Sequence, residues 1–375
     1  MSVVSRVTVL TPSFPRYNSD YHGAFIKSLC DELAKHVSLE VIAPRTKTLK
    51  PMNLAYPVKR FPYMPSQRME YIAEATMKNA PRHILATLPS YLASAYVNIV
   101  STNTNLIHTH LAIPLGFLAA HNPRKIPQLI TGHGSDISYP LEKTHYRGIT
   151  RKALRKADQI ATVSDYIRHL AVKLGADPRK TKTIYLGVDV ERFKPSRKTT
   201  SITIGTLGRL VPEKRIETII YAAKMLEDKI EFKLRIGGDG PDQSRLMKLA
   251  TKLHLNVEFT GRVLDPVAFH QSLDVFLLAS RREGLSISLQ EAMACGVVPV
   301  AVDAHGTREI IEDGVNGYLF NSDDPGMLAE KTIYAIENKE LANKARESIV
   351  QRFNSKKATK KYLDLYRELG IFFKR

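Results

Sequence analysis

Residues 275–320 read VFLLASRREGLSISLQEAMACGVVPVAVDAHGTREIIEDGVNGYLF. The stretch opens on an apolar run from Val275, passes through a polar loop carrying Glu283, and enters a helical pattern from about Ser286 that carries Glu291. It leaves that helix at Cys295–Gly296, where glycine suits a C-cap, and returns to apolar runs at Val298 to Val302 and Gly317 to Phe320. Short Val- and Ile-rich runs separated by helical segments describe strands buried on both faces and joined by crossover helices. The expected class is α/β with parallel sheets.

The same alternation extends in both directions. Upstream runs in the second half are Ile202 to Leu207, Lys233 to Gly237 and Val257 to Thr260. In the first half they are Val7 to Leu10, Leu39 to Ala43, Leu106 to Thr109, Gln128 to Thr131, Gln159 to Val163 and Thr183 to Leu186. Two similar sheets therefore follow one another. Between them Gly187 to Thr200 is polar, contains Gly and Pro, and has no apolar period, as an interdomain connection should. The domain expectation is 1–188, 189–354, and a final segment 355–375 whose Tyr362, Leu365, Tyr366 and Leu369 recur at helical spacing. Tyr56 to Asn98 shows no strand pattern. Its Phe61, Tyr63, Met64, Met69, Tyr71 and Ile72 among Lys59, Arg60, Arg68, Lys78 and Arg82 suit either a lipid-touching basic surface or, more often for such patterns, helices covering a sheet.

With 375 residues, 43% of them hydrophobic and 25% charged, the chain can bury two cores and is neither fibrous nor disordered in composition. Two cysteines, Cys30 and Cys295, permit at most one disulfide and no all-cysteine metal site, which fits a reducing cytoplasm. No signal peptide or membrane-spanning stretch is read from the sequence; Leu111 to Ala120 is broken by Pro114 and Gly116. The formal charge is +18, and Lys+Arg exceed Asp+Glu by 25 to 12 through residue 190, so the first half attracts something anionic.

Candidate chemistry concentrates in the second half. In ITIGTLGRLVPEK, residues 202–214, a strand ends at Gly205 and Gly208, followed by Arg209 and by Lys214 at the start of a helix. Glycines allow close backbone approach, a helix start offers free N–H groups, and Arg with Lys can neutralise a departing diphosphate. Alone, such a loop is more often a plain turn with solvated charges. LRIGGDGPDQSRLMKLA repeats the arrangement with Gly237, Gly238 and Gly240, and Pro241 is placed at the first helical position. Two such turns at the carboxyl ends of neighbouring strands make a nucleotide-sized edge, without the GxGxxG register of dinucleotide folds. Glu283 and Glu291, eight residues apart, can each accept vicinal hydroxyls of a sugar.

The segment EGLSISLQEAMACGVVPVAVDAHGTREIIEDGVNGYLF resembles the ExxxxxxxE region of the retaining GT-B glycosyltransferases of family 4, the glycosyl transferases group 1. Further matches are the GR(L/V)xxxK loop at Gly208, Arg209 and Lys214, the GxGP turn at Gly238 to Pro241, and VEFTGRV at Val257 to Val263. HGSD at His133 to Asp136, ATVSDYIR at Ala161 to Arg168, and YLGVDVERFKP at Tyr185 to Pro195 extend the likeness over nearly the whole chain. The resemblance implies two Rossmann-like domains facing across a cleft, acceptor on the first and nucleotide-sugar donor on the second, with the last helix crossing back. It implies Arg209 and Lys214 on the diphosphate, Glu291 on the ribose, Glu283 on the transferred sugar, and Gly284 and Leu285 N–H groups beside sugar and phosphate. Gly23, Gly208, Gly238, Gly240, Arg262 and Ser286 complete the donor set. His110 takes the place of an active-site histidine, with His108 and His133 as competitors; His133 and Asp136 stand on the acceptor side. The family's N-terminal glycine-rich loop is represented only by Gly23 in DYHGAFIKSL, where His22 and Lys27 are weak candidates.

The expectation is thus a hexosyltransferase using a UDP- or GDP-sugar and a lipid-linked or cell-envelope glycan acceptor, with no metal or cofactor required. It works in the cytoplasm, with peripheral contact to anionic membrane. No carboxylate nucleophile stands out, so front-side attack is expected over double displacement. Rivals are a GT-B sugar-nucleotide epimerase or hydrolase, a non-catalytic partner subunit, and a nucleic-acid-binding protein. The last is disfavoured because Trp is absent and Arg151 to Lys156 forms one helix face.

Overall fold

A computed structural model describes residues 4–374 apart from 19, 47, 65–85, 197–200, 282 and 322. Two parallel sheets organise the chain. The first has the order β3-β2-β1-β4-β5-β6-β7, from β1 (Arg6–Leu10), β2 (Ser38–Pro44), β3 (Val58–Phe61), β4 (Leu106–His110), β5 (Gln128–Gly132), β6 (Gln159–Thr162) and β7 (Thr181–Thr183). The second has the order β10-β9-β8-β11-β12-β13, from β8 (Thr203–Leu207), β9 (Lys233–Gly237), β10 (Val257–Gly261), β11 (Val275–Leu278), β12 (Val298–Val302) and β13 (Tyr318–Phe320). The interior strands β4, β5, β11 and β12 are buried at every position; β11 and β12 read as apolar runs, while β4 and β5 carry His108, Thr109, His110, Gln128 and Thr131 into the interior.

Helices connect these strands: α1 (Ala24–Leu33), α2 (Leu88–Ser101), α3 (Ser135–Glu142), α4 (Thr144–Lys156) and α5 (Asp165–Leu174) in the first half. The second half has α6 (Ile216–Leu226), α7 (Gln243–Lys252), α8 (Pro266–Gln271), α9 (Ile287–Ala294), α10 (His305–Arg308), α11 (Pro325–Glu337) and α12 (Leu341–Arg352), before the final α13 (Ser355–Glu368). Residues 1–186 with 358–375 form one compact unit, and residues 187–357 another. The second core gathers Ile204, Ile236, Leu277 and Val300 from the strands, packed against Ile219 of α6 and Leu328 of α11.

Four local expectations are corrected. The segment from Tyr56 does contain a strand: β3 pairs in parallel with β2, from Val41 opposite Val58 to Pro44 opposite Phe61. It is an edge strand whose Lys59 faces solvent, so it has no apolar run. Phe61 and Tyr63 pack at 5.1 and 5.4 Å on Tyr91 in the core rather than on a lipid-facing surface, while Met64 is exposed. Met69, Tyr71, Ile72, Arg68, Lys78 and Arg82 lie outside the described residues. β7 begins at Thr181, not Thr183; Ile184 extends its ladder by one bond to Thr162 O, and Leu186 is buried by packing. Lys214 ends a short 3-10 turn, Pro212–Lys214, and α6 starts only at Ile216, after Arg215 in the left-handed region at φ 52°. Pro241 likewise precedes α7, whose first residue is Gln243.

Candidate active site

In the second unit, the carboxyl ends of β8, β9 and β11 bring three loops together. Gly208 N–H donates to Gly237 O at 3.0 Å, and Gly238 N–H donates to Gly261 O at 2.7 Å. Gly238 has φ 117°, and a Cβ there would fall 1.9 Å from Gly208 O; Gly240 has φ 156°, and a Cβ would fall 2.3 Å from Leu210 O. The β8 and β9 loops abut so closely that only glycine fits at either position. Arg209 sits half-buried in the first loop, and Arg262 follows the Gly261 carbonyl that the second loop engages.

The third loop carries Glu283. Its Oε1 accepts from Lys214 Nζ at 2.6 Å, with the Glu283 side chain only 10% exposed. The backbone keeps the pair in place: Arg281 N–H donates to Glu213 O at 2.9 Å, joining this loop to the turn that holds Lys214. On its other side, Gly306 of α10 leaves no space, since a Cβ would lie 2.4 Å from Glu283 O and 2.8 Å from Gly284 O. Leu285 and the N-cap Ser286 follow; Ser286 Oγ accepts from Leu289 N–H, and Ser288 Oγ donates to Leu207 O at 2.8 Å, fastening α9 to the end of β8. Glu291 lies one turn into α9, its Oε2 3.4 Å from Nε2 of His270. His270 is fully buried on α8 among Phe193, Phe269 and Phe276. Gly208, Arg209, Lys214, Gly238, Gly240, Arg262, Glu283, Gly284, Leu285, Ser286 and Glu291 thus all belong to one unit and to loops or helix starts on this edge.

The first unit holds the remaining candidates. His110 ends β4, fully buried, and its Nδ1 lies 2.8 Å from His133 Nε2. Its ring stacks on His133 at 5.1 Å and lies tilted against His108 at 4.6 Å, and its Nε2 has no hydrogen-bond partner among the described residues. Burial, reinforced by the neighbouring His108 and His133 rings, holds His110 well below the ordinary histidine range. His108 and His133 are each brought down to about 3, by burial and, for His108, by the His133 ring beside it. The trio is neutral near pH 7. His108 is further committed: Tyr366 OH of α13 lies 2.8 Å from its Nδ1, and Thr131 Oγ1 lies 2.8 Å from its Nε2. His110 keeps a buried Nε2 with no hydrogen-bond partner among the described residues.

Asp136 is fully buried and accepts three backbone N–H bonds, from Ala112 at 2.9 Å, His133 at 2.9 Å and Gly134 at 3.0 Å. Burial raises its carboxyl against those three donors. It fixes the turn that carries His133. Gly23 has φ 69° before α1, with no room for a Cβ beside Ser13 O. His22 contacts Asp20, and Lys27 pairs with Asp31 at 2.7 Å. Sequence reasoning missed His270, a lone histidine in an apolar helix, and Gly306, whose need for smallness appears only once the Glu283 loop lies against it.

Comparison with known proteins places this geometry. The family model Glycosyl transferases group 1 matches residues 188–352, and Glycosyltransferase Family 4 matches residues 23–192. An uncharacterized glycosyltransferase of Methanocaldococcus jannaschii is 31% identical over 295 residues, 75% of this chain and 81% of that protein. The chain belongs to the glycosyltransferases. This glycosyltransferase is also 26% identical over 285 residues to the N-acetyl-alpha-D-glucosaminyl L-malate synthase of Bacillus anthracis, covering 70% and 74% of the two chains. Its fold is GT-B: the Anabaena protein HepE, crystallised with UDP and glucose, matches with a TM-score of 0.78 at 20% identity, over 97% of this chain and all of that one.

Proposed function

We propose that this glycosyltransferase moves a hexose-type sugar from a nucleoside-diphosphate sugar to an acceptor hydroxyl with retention of anomeric configuration. The observation that carries the reading is the Lys214–Glu283 pair set against the abutting Gly208 and Gly238 loops. Backbone approach, a mobile cation and a carboxylate meet there at strand ends, where an α/β fold takes its ligands. The UDP and glucose bound by HepE support a nucleotide sugar, and the glucosaminyl product named for the Bacillus relative supports a hexose-type sugar.

In this reading Arg209 and Lys214 receive the diphosphate. Lys214 keeps donors to spare beyond the one given to Glu283. Glu283 takes sugar hydroxyls, with the N–H groups of Gly284 and Leu285 nearby, and Glu291 offers ribose the oxygen that His270 does not engage. The acceptor oxygen forms its bond to the anomeric carbon on the face from which the phosphate departs. The carbon–phosphate oxygen bond breaks, and the acceptor proton passes to that phosphate oxygen. Positive charge held in place at the leaving group lowers the barrier by roughly 3–4 kcal/mol per well-placed donor. His110, neutral and with Nε2 unpaired, is assigned to the sugar; Asp136 acts by holding the His133 turn, and Gly23 by shaping the first loop.

The acceptor is proposed to be a lipid-linked or cell-envelope glycan, on the positive charge of residues 1–190. No helix among the described residues is long and apolar enough to cross a membrane. The charge would instead bring the enzyme to an anionic surface, which flotation with anionic vesicles at low salt checks; no binding removes the membrane part. The activity itself is tested by incubating labelled UDP-, GDP- and ADP-sugars with glycan and lipid extracts and reading the anomeric coupling of the product by NMR. Retention in a new glycoside is expected. Inversion contradicts the front-side route, and sugar release unaffected by any acceptor makes the protein a hydrolase.

A further inference from the structure

At the edge of the first sheet, the loop from β2 to β3 lines an open pocket of about 350 Å³ with Arg16, Lys50 and Arg60 and apolar side chains that include Leu49, Met52 and Leu54. None of these residues belongs to the donor or histidine groups. Arg16 is buried and bidentate with Asp20, Nε to Oδ2 at 2.5 Å and Nη2 to Oδ1 at 3.1 Å. Asp20, although burial alone would raise it, is held well below the ordinary carboxylate range by hydrogen bonds from His22 and Arg16. That pair is close to neutral.

The other two cations have no ion pair of this kind among the described residues. Arg60 donates to Phe14 O, Pro15 O and Pro44 O at 2.5 to 3.4 Å and lies 5.6 Å from the Phe14 ring. Burial lowers its guanidinium to about 10 against the attraction of nearby Asp20, which lies beyond ion-pair contact with it and is paired with Arg16. Lys50 is exposed, with its Nζ 5.9 Å from the Tyr17 ring and no carboxylate pairing with it among the described residues. The open pocket thus gathers Arg16, Lys50 and Arg60 with the one nearby carboxylate, Asp20, shared between Arg16 and the field on Arg60, an excess of two positive charges among the described residues. A half-buried cation whose nearest carboxylate is already paired with another arginine is costly, and the carbonyl cage that fixes Arg60 has already removed its rotamer freedom. A phosphate monoester carries about 1.5 to 2 negative charges near pH 7 and matches the pair, whereas a carboxylate leaves one cation unbalanced. The remaining wall is apolar and accepts a hydrocarbon stem.

We propose that this pocket binds a phosphoryl group borne on an apolar stem. The site lies wholly in the first unit and does not rest on the transfer reading. Titration calorimetry with hexyl phosphate, inorganic phosphate and hexanoate tests it on the full chain. Hexyl phosphate is expected to bind roughly tenfold or more tighter than either of the others, because only it satisfies both charge and wall. Lys50→Glu, at an exposed position and checked for an unchanged melting temperature, should weaken it at least about tenfold. Met52→Ser should narrow its advantage over inorganic phosphate. Arg209→Ala, in the other unit, should leave hexyl phosphate binding unchanged, and a loss there would put the anion on the donor loop and overturn the proposal. No binding, or equal binding by wild type and Lys50→Glu, overturns it as well. Phosphatidylcholine vesicles doped with phosphatidic acid separate the sources: competition with hexyl phosphate identifies a lipid headgroup, and none identifies a soluble phosphate ester.

Discussion

A methyl group at Gly238 would sit 1.9 Å from Gly208 O at a φ of 117°, so Gly238→Ala must open the seam between the β8 and β9 loops. The expected cost is about 1–3 kcal/mol of stability in the second unit, read by urea unfolding, together with a fall in donor affinity. Glu283→Gln keeps the shape of the side chain but loses its charge on Lys214; kcat should drop roughly a hundred- to thousandfold, while near-wild-type turnover would remove Glu283 from the reaction. His270→Phe suits the surrounding aromatic rings yet frees Glu291, so KM for the donor should rise about tenfold with kcat changing less. These residues were unequally legible. Arg209, Lys214, Glu283 and Glu291 announce themselves through charge set among glycines and short strands. His270 does not, because its significance is a contact with a residue 21 positions away. Asp136 is read as a possible ligand group from HGSD, yet its oxygens meet three backbone N–H groups.

Among the elements, interior strands were legible because burial on both faces writes an apolar run, as in VFLL and VPVAV. In the first sheet the edge strands were not, or only in part: VKRF has one face in water, and β7 reads TKT while the apolar Ile184 beside it lies just past the strand, whereas the second sheet's edge strands β10 and β13 kept readable runs in VEFT and YLF. The starts of α6 and α7 were displaced because loop backbone, not helical period, decides where Arg215 and Pro241 leave the turn. α13 shows what helical spacing can and cannot tell. The period of Tyr362, Leu365 and Tyr366 announced a packed face, but not that Tyr366 OH would meet His108 at 2.8 Å and Tyr362 OH would meet Thr131 at 3.3 Å. Tyr366→Phe leaves a buried His108 nitrogen unpaired and should cost about 1–3 kcal/mol in the first unit, measured by denaturant unfolding; an unchanged midpoint would mean that helix packing alone holds α13.

For the whole molecule, the buried histidines make stability depend on acidity. His108 titrates near 3 in the folded chain but near 6.5 when unfolded, so its contribution is complete above about pH 6.5 and is lost as pH falls towards 3. Each such histidine steepens the loss by up to about 1.4 kcal/mol per pH unit, and His108→Gln should flatten the melting-temperature profile of the first unit between these limits. The two-sheet plan was legible because the alternation of strands and helices occurs twice with a polar connection between. The charge excess of the first half is equally plain in the sequence, whereas the pocket where Lys50 and Arg60 converge needs the folded β2–β3 loop. The central claim is that the second unit grips a nucleoside diphosphate through Arg209 and Lys214. Calorimetric titration with UDP, GDP and ADP tests it most directly: at least one should bind, and Arg209→Ala with Lys214→Ala should weaken it by about a hundredfold or more. Binding of none of the three, or equal binding by the double variant, would contradict the account.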